Sequence, residues 1–196
     1  MWPLGHLALG YLLFTLDARL ETGKPPGELA VLTLAVGTQL PDLIDKPGAY
    51  WFGLFAEGRA LGHSLFFLVA LCAVVGYFGV AYDRRQSAGA FAIGALSHPL
   101  ADALPVLVKG RFGELSFALW PVLASPNYPT RSFGPHVAHW STQLHELTLL
   151  GFLTQWQSFF VIQLWLTVLA AVVWVGDGRP GLALCWRSVR SLRTVV

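Results

Sequence analysis

His98 and Asp102 lie four residues apart inside Phe91–Leu104, FAIGALSHPLADAL, whose only other polar side chain is Ser97. On a helix, positions i and i+4 sit one above the other on the same face. An imidazole and a carboxylate therefore leave an apolar segment in the same direction. Ionisable groups in such surroundings are costly unless paired or bound to something. The pair reads as half of a metal site. The other half is to be sought among the remaining imidazoles and acids that border apolar runs: His6, Asp42, Asp45 and His63.

The residue types suit that chemistry. Imidazole nitrogen and carboxylate oxygen are ligands of zinc and similar borderline divalent metals. Three histidines with two or three aspartates can hold one ion, or two sharing a carboxylate. A metal with an open position lowers the pKa of bound water, which hydrolysis needs, and a two-metal site favours phosphoester chemistry. Thiolate ligation is not expected. Cys72 and Cys185 sit in apolar sequence without C-x-x-C spacing and read as buried small hydrophobes. No G-x-S-x-G motif supports a serine hydrolase.

The elements that must position these residues are apolar helices. Of 196 residues, 55% are hydrophobic and 12% charged, against about 25% charged in a typical soluble domain. Mean hydropathy is +0.56. The expected fold is all-α: a polytopic membrane bundle of about five helices, mainly antiparallel. The net charge of +2 is too small to suggest a nucleic-acid partner; the expected partner is the lipid bilayer. No basic n-region precedes the first apolar run, so a cleavable signal is not expected.

In chain order, Pro3 suits the start of a first helix reaching about residue 18. Residues 29 to 44 predict a second, which Pro47 and Gly48 should stop. The aromatic stretch 49 to 55 reads as an interfacial loop. Residues 61 to 82 give the clearest transmembrane candidate, and 88 to 108 a fourth helix that Pro99 should kink or locally open. These make a four-helix metal-site unit over 1–108. An irregular extracytoplasmic loop is expected over 109–148, a fifth transmembrane helix over 149–175, and a basic tail over 176–196 lying on the membrane surface as a short amphipathic helix. The whole is a single domain.

If successive helices alternate direction, His6 starts one, Asp42 and Asp45 end the next, His63 starts the third, and His98 and Asp102 end the fourth. All then fall at one end of the bundle, with His136, His139, His145 and Glu146 in the following loop at that end too. Each position has a blander reading. A histidine near a terminus is often interfacial, two aspartates can solvate a helix end, and the loop histidines can simply face solvent. His98 with Asp102 is the hardest to explain away. The end away from the site carries eight of the 13 Lys and Arg residues, which places the site on the extracytoplasmic side of the cell membrane.

Four blocks then carry a resemblance: GHLALGY (5–11), QLPDLID (39–45), RALGHSLFF (59–67) and SHPLAD (97–102). Their types and order resemble the membrane-bound metal-dependent hydrolases, an inner-membrane group distantly similar to zinc-dependent phospholipase C. The opening MWPxxHLAxGYL looks most like archaeal members. The resemblance implies His6, Asp42, His63, His98 and Asp102 as metal ligands, Asp45 as the second acid of the PDxD block, and Arg59 as a binder of an anionic substrate group. Gly58 stands where members often carry histidine, and Gly62 replaces a common threonine. The second half of the chain shows no matching block.

The expectation is an integral membrane hydrolase with a divalent metal, zinc by preference, acting on an ester or phosphoester that a lipid could supply. Asp45 would be general base or an orienter of a ligand, and Arg59 an anion clamp. The rival is a non-enzymatic membrane protein that transports or senses a metal ion or proton through the same His and Asp groups. A third reading is a metal that only ties helices together.

Overall fold

The computed structural model describes residues 1–127, 133–146 and 158–193. Among these, every regular element is helical. The seven α-helices are α1 (Pro3–Thr22), α2 (Glu28–Tyr50), α3 (Leu65–Ala81), α4 (Arg85–Val108), α5 (Phe133–Glu146), α6 (Phe159–Gly176) and α7 (Leu182–Arg193). A 3-10 helix, Phe112–Leu119, follows α4. The fold is the expected all-α bundle.

Local chemistry sets several ends. Pro3 occupies the first turn of α1, and Gly23 closes that helix in the left-handed region at φ 67°, its N–H donating to the Arg19 carbonyl. Glu28, in the first turn of α2, reaches across to α7, where it accepts from the N–H groups of Gly181 (3.0 Å) and Leu184 (3.1 Å).

From α1 to α4, consecutive helices alternate in direction. The start of α1 meets the middle of α2, where Gln39 donates to the Pro3 carbonyl. Helices α2 and α4 run side by side in the same direction, Thr33 bonding near the start of α4 and Thr38 near its later half. They approach closely because two glycines face each other. A Cβ on Gly37 would fall 2.4 Å from the Phe91 carbonyl oxygen, and one on Gly94 would fall 2.6 Å from that of Leu34. This backbone contact places α2 and α4 at the centre, with α1 and α3 packed outside them and α6 against α1. The core beneath the site is Ala8, Tyr11, Phe14, Val31, Leu34 and Ala90.

Helices α4 and α6 are long and apolar enough to cross a membrane. Much of the apolar surface of α3 and α6 is exposed, including Phe66, Val69, Tyr77, Phe78, Val168, Leu169 and Val172. In water this would be a liability; against lipid it is the required surface.

Several expectations need correction. The helix total exceeds five because α5 is formed, while α7 is the amphipathic helix expected in the tail. The segment 109–148 is not irregular: the 3-10 helix and α5 occupy much of it, Pro135 falling in the first turn of α5, where no intrahelical N–H bond is lost. Helix α2 does not stop at Pro47. It runs through Pro41 and Pro47 to Tyr50, the Pro47 carbonyl accepting from Trp51 and Phe52, so only Trp51 onward forms the aromatic loop. Residues 61–64 are not helical, leaving α3 at 17 residues, shorter than α4. The part of 149–175 before residue 158 lies outside the described residues. Cys185 is exposed rather than buried, because its apolar neighbours form an outer groove and not the core.

Candidate metal centre

Three imidazoles meet at one end of the bundle. His6 comes from the start of α1, His98 from the later half of α4, and His63 from the turn just before α3; each is at most 1% exposed. The His6 and His98 rings stack with centroids 3.7 Å apart, and His63 stands edge-on to His98 at 5.0 Å. Gly10 lets α1 sit this deep, since a Cβ there would meet the Thr38 side chain at 2.5 Å.

Two of the rings are oriented by hydrogen bonds through Nδ1. His98 Nδ1 donates to the Thr38 carbonyl at 2.6 Å, and His63 Nδ1 donates to Asp45 Oδ2 at 2.8 Å. A carbonyl can only accept, so the Nε2 of His98 is left as the lone-pair nitrogen. This is the arrangement in which outer groups fix a metal-binding imidazole.

The remaining nitrogens face carboxylates without being bonded to them. His63 Nε2 is 3.7 Å from Asp42 Oδ1 and 3.6 Å from Asp102 Oδ2. His98 Nε2 is 3.6 Å from Asp42 Oδ1, and His6 Nε2 is 3.4 Å from Asp102 Oδ1. Both nitrogens of His6 and the Nε2 atoms of His63 and His98 are buried with no hydrogen-bond partner. Buried polar atoms are seldom left so. The donor atoms form two overlapping groups, each within 4.8 Å: His6, His98 and Asp102, and Asp42, His63 and His98. All five expected ligands are thus brought together, and His98 belongs to both groups. That number and type of donor fits a borderline divalent ion.

The two residues expected to act on substrate are placed differently. Asp45 is fully buried and both of its oxygens are occupied: Oδ1 by the Gly62 N–H (2.7 Å), Oδ2 by those of Ala60 (2.7 Å) and His63 (3.1 Å) and by the His63 ring. It folds the 58–63 turn around itself. Gly62 belongs to that turn, where a Cβ would lie 2.5 Å from the Pro41 carbonyl oxygen, so the common threonine would not fit here. Arg59 Nη2 lies 2.7 Å from Asp102 Oδ2, with its guanidinium over the buried Phe117 ring. Asp102 also meets the α-amino group of Met1, and Asp42 pairs with Lys46.

Burial alone would lower the basicity of His63. Asp102, Asp45 and Asp42 around it reverse that effect and hold its pKa above the ordinary imidazole value. The two donor groups could hold a metal ion. The 3-10 helix roofs the site through Phe117, 6.0 Å from the His63 ring, and Ser64 ties the roof down by donating to the Trp120 carbonyl.

Sequence reasoning missed Thr38, whose carbonyl orients His98, and Phe117, which covers His63. Neither residue type signals such a role. His145 lies exposed in α5, while the side chains of His136, His139 and Glu146 fall outside the described set.

Residues 1–179 match the YdjM inner membrane protein family. The chain belongs to that family. The match spans the site and helices α1 to α6, so the exposed apolar faces of this YdjM-family chain belong against an inner membrane. Nothing among curated proteins or solved structures matches the chain.

Proposed function

We propose that this YdjM-family chain is an integral membrane metal-dependent hydrolase, with His6, Asp42, His63, His98 and Asp102 as the ligands of one or two divalent ions, zinc by the ligand chemistry. One observation carries the reading: buried, unpartnered imidazole nitrogens from α1, α4 and the turn before α3 converge on two carboxylates. A bound ion would supply an activated water for attack on an ester or phosphoester.

The chain's own residues have distinct parts in this reading. Asp45 positions His63 and the 58–63 turn; with both oxygens filled, it orients a ligand rather than taking a proton from water. Arg59 neutralises Asp102 and stands at the pocket edge, 20% exposed, where an anionic substrate group would meet it. Phe117 excludes water from the His63 side. The phospholipase-like chemistry and the extracytoplasmic position of the site belong to the same proposal, supported by the four sequence blocks and by the excess of Lys and Arg at the other end.

The test is metal analysis of detergent-purified protein, with hydrolysis of p-nitrophenylphosphocholine and p-nitrophenyl butyrate assayed alongside. Stoichiometric metal that His98→Ala removes together with hydrolysis supports the proposal. A wild type without stoichiometric metal overturns it. The pairing of the buried Asp102 with Arg59 favours one rival, transport or sensing of a metal ion or proton. Ion flux into liposomes that Asp102→Asn abolishes, with no hydrolysis by the wild type, would select that rival.

A further inference from the structure

An apolar groove of about 350 Å³ runs between α1, α2, α6 and α7, from Leu4 near the histidine end of α1 to Leu182 at the opposite end of the bundle. Its walls include Leu7, Tyr11, Leu32, Ala171, Trp174 and Leu182. It presents almost nothing but hydrocarbon, and it lies along α6, a helix suited to crossing the membrane. At Leu182 and Cys185 it joins a second cup of about 630 Å³, which Glu28, Arg179 and Trp186 also line.

The charges of that cup are unequal. Glu28 is committed, since its carboxylate accepts from the Gly181 and Leu184 N–H groups and so anchors the start of α7. Arg179 is exposed, and its backbone is left-handed at φ 59°. Such a conformation is uncommon for a residue with a side chain and is held here by the Arg179 N–H bond to the Trp174 carbonyl (2.9 Å). Two further arginines, Arg187 and Arg190, lie on α7, with Arg190 stacked over the Trp186 ring. A hydrocarbon channel thus opens at one end onto a cup that holds the committed Glu28 carboxylate and the exposed Arg179 guanidinium, with Arg187 and Arg190 farther along α7.

We infer that this groove and cup form a binding site for an anionic glycerophospholipid, with an acyl chain between α1, α2 and α6 and the phosphate at Arg179. One long apolar arm ending in an anion is the shape and charge of that ligand. A polar peptide would strand its backbone groups in the groove. The site lies on the face of α1 away from His6 and is independent of any metal. It would fasten α7 to the membrane surface and brace α6 against α1 and α2.

The experiment uses the full chain, delipidated in detergent and offered phosphatidylglycerol or phosphatidylcholine with identical acyl chains, with bound lipid counted by native mass spectrometry. The wild type should retain one phosphatidylglycerol about fivefold more tightly than phosphatidylcholine, the effect expected of one arginine near a headgroup. Arg179→Asn, which tolerates the left-handed backbone, should bring the two lipids to equal retention, and Arg179→Lys should restore the preference. Ala171→Trp should abolish retention of both; Ala171→Leu fills the groove more gently, should a tryptophan prevent folding. Metal content should be unchanged throughout, which separates this test from that of the histidine site. Equal retention by the wild type, or a preference that survives Arg179→Asn, overturns the inference. So does a dimer, seen by sedimentation, that Ala171→Leu dissociates, because the groove would then hold a second copy of the chain.

Discussion

The rings of His6 and His98 lie face to face, 3.7 Å between centroids and 10° from parallel, although they come from the first helix and the fourth. Two imidazoles stacked in a dry interior would repel if both were protonated. With both nitrogens of His6 and the Nε2 of His98 unpartnered and carboxylates beside them, the two rings belong to a donor group that could hold a metal ion.

Because His98 is common to both donor groups, His98→Ala should leave purified protein essentially metal-free. His6→Ala and His63→Ala then count the ions. If there are two, each substitution should remove about one equivalent; if there is one, each should remove all of it. Elemental mass spectrometry of detergent-purified protein reads this directly, and full metal content in His98→Ala would end the assignment.

Asp45→Asn keeps the side chain's volume but replaces an acceptor oxygen with an amide donor among the N–H groups of Ala60, Gly62 and His63. The donor–donor conflict should cost about 1–3 kcal/mol in unfolding free energy. Loss of the His63 orienter should weaken metal affinity about 10- to 100-fold. A metal titration beside a thermal melt measures both. An affinity equal to wild type would show that the aspartate serves only the turn.

The α2–α4 contact makes a steric prediction. Gly37→Ala and Gly94→Ala each put a methyl group into the opposing backbone, at about 1–3 kcal/mol for overpacking. They should also push His98 away from Thr38 and lower metal retention. Gly89→Ala, on α4 with open space around it, should be neutral or slightly stabilising. Equal stability of all three variants would show that the helices can separate at no cost.

At the far end of the bundle, Asp177 accepts from Tyr11 (2.7 Å) and Thr15 (2.8 Å) and pairs with Arg19. Its cover would raise its pKa, but these three partners outweigh that and hold it below the usual carboxylate range. A depressed folded-state pKa gives stability that is present above the unfolded value, about 3.9, and is lost as pH falls through the folded one. Asp177→Asn should therefore melt lower than wild type by a constant margin from about pH 5 to 8, and the margin should close on acidification below about pH 4. Melting curves across that range check the sign; a margin that widens in acid would contradict it.

Local periodicity alone was enough to assign helices to the apolar runs, to set His98 and Asp102 on one face, and, through alternating helix direction, to gather His6, Asp42, His63, His98 and Asp102 at one end. These properties depend on residues a few positions apart, or on the order of segments. What Asp45 and Arg59 do was not readable in that way. Asp45 is filled by N–H groups 15 to 18 residues away, and Arg59 is drawn to a carboxylate 43 positions on, because the 51–64 turn folds back over the bundle end. The persistence of α2 through Pro47, the backbone contact of Gly37 with Gly94, and the roof at Phe117 likewise arose only when the helices packed. Hydrogen bonds and steric contacts between distant segments are decided by how the chain closes, and no spacing in the sequence records them.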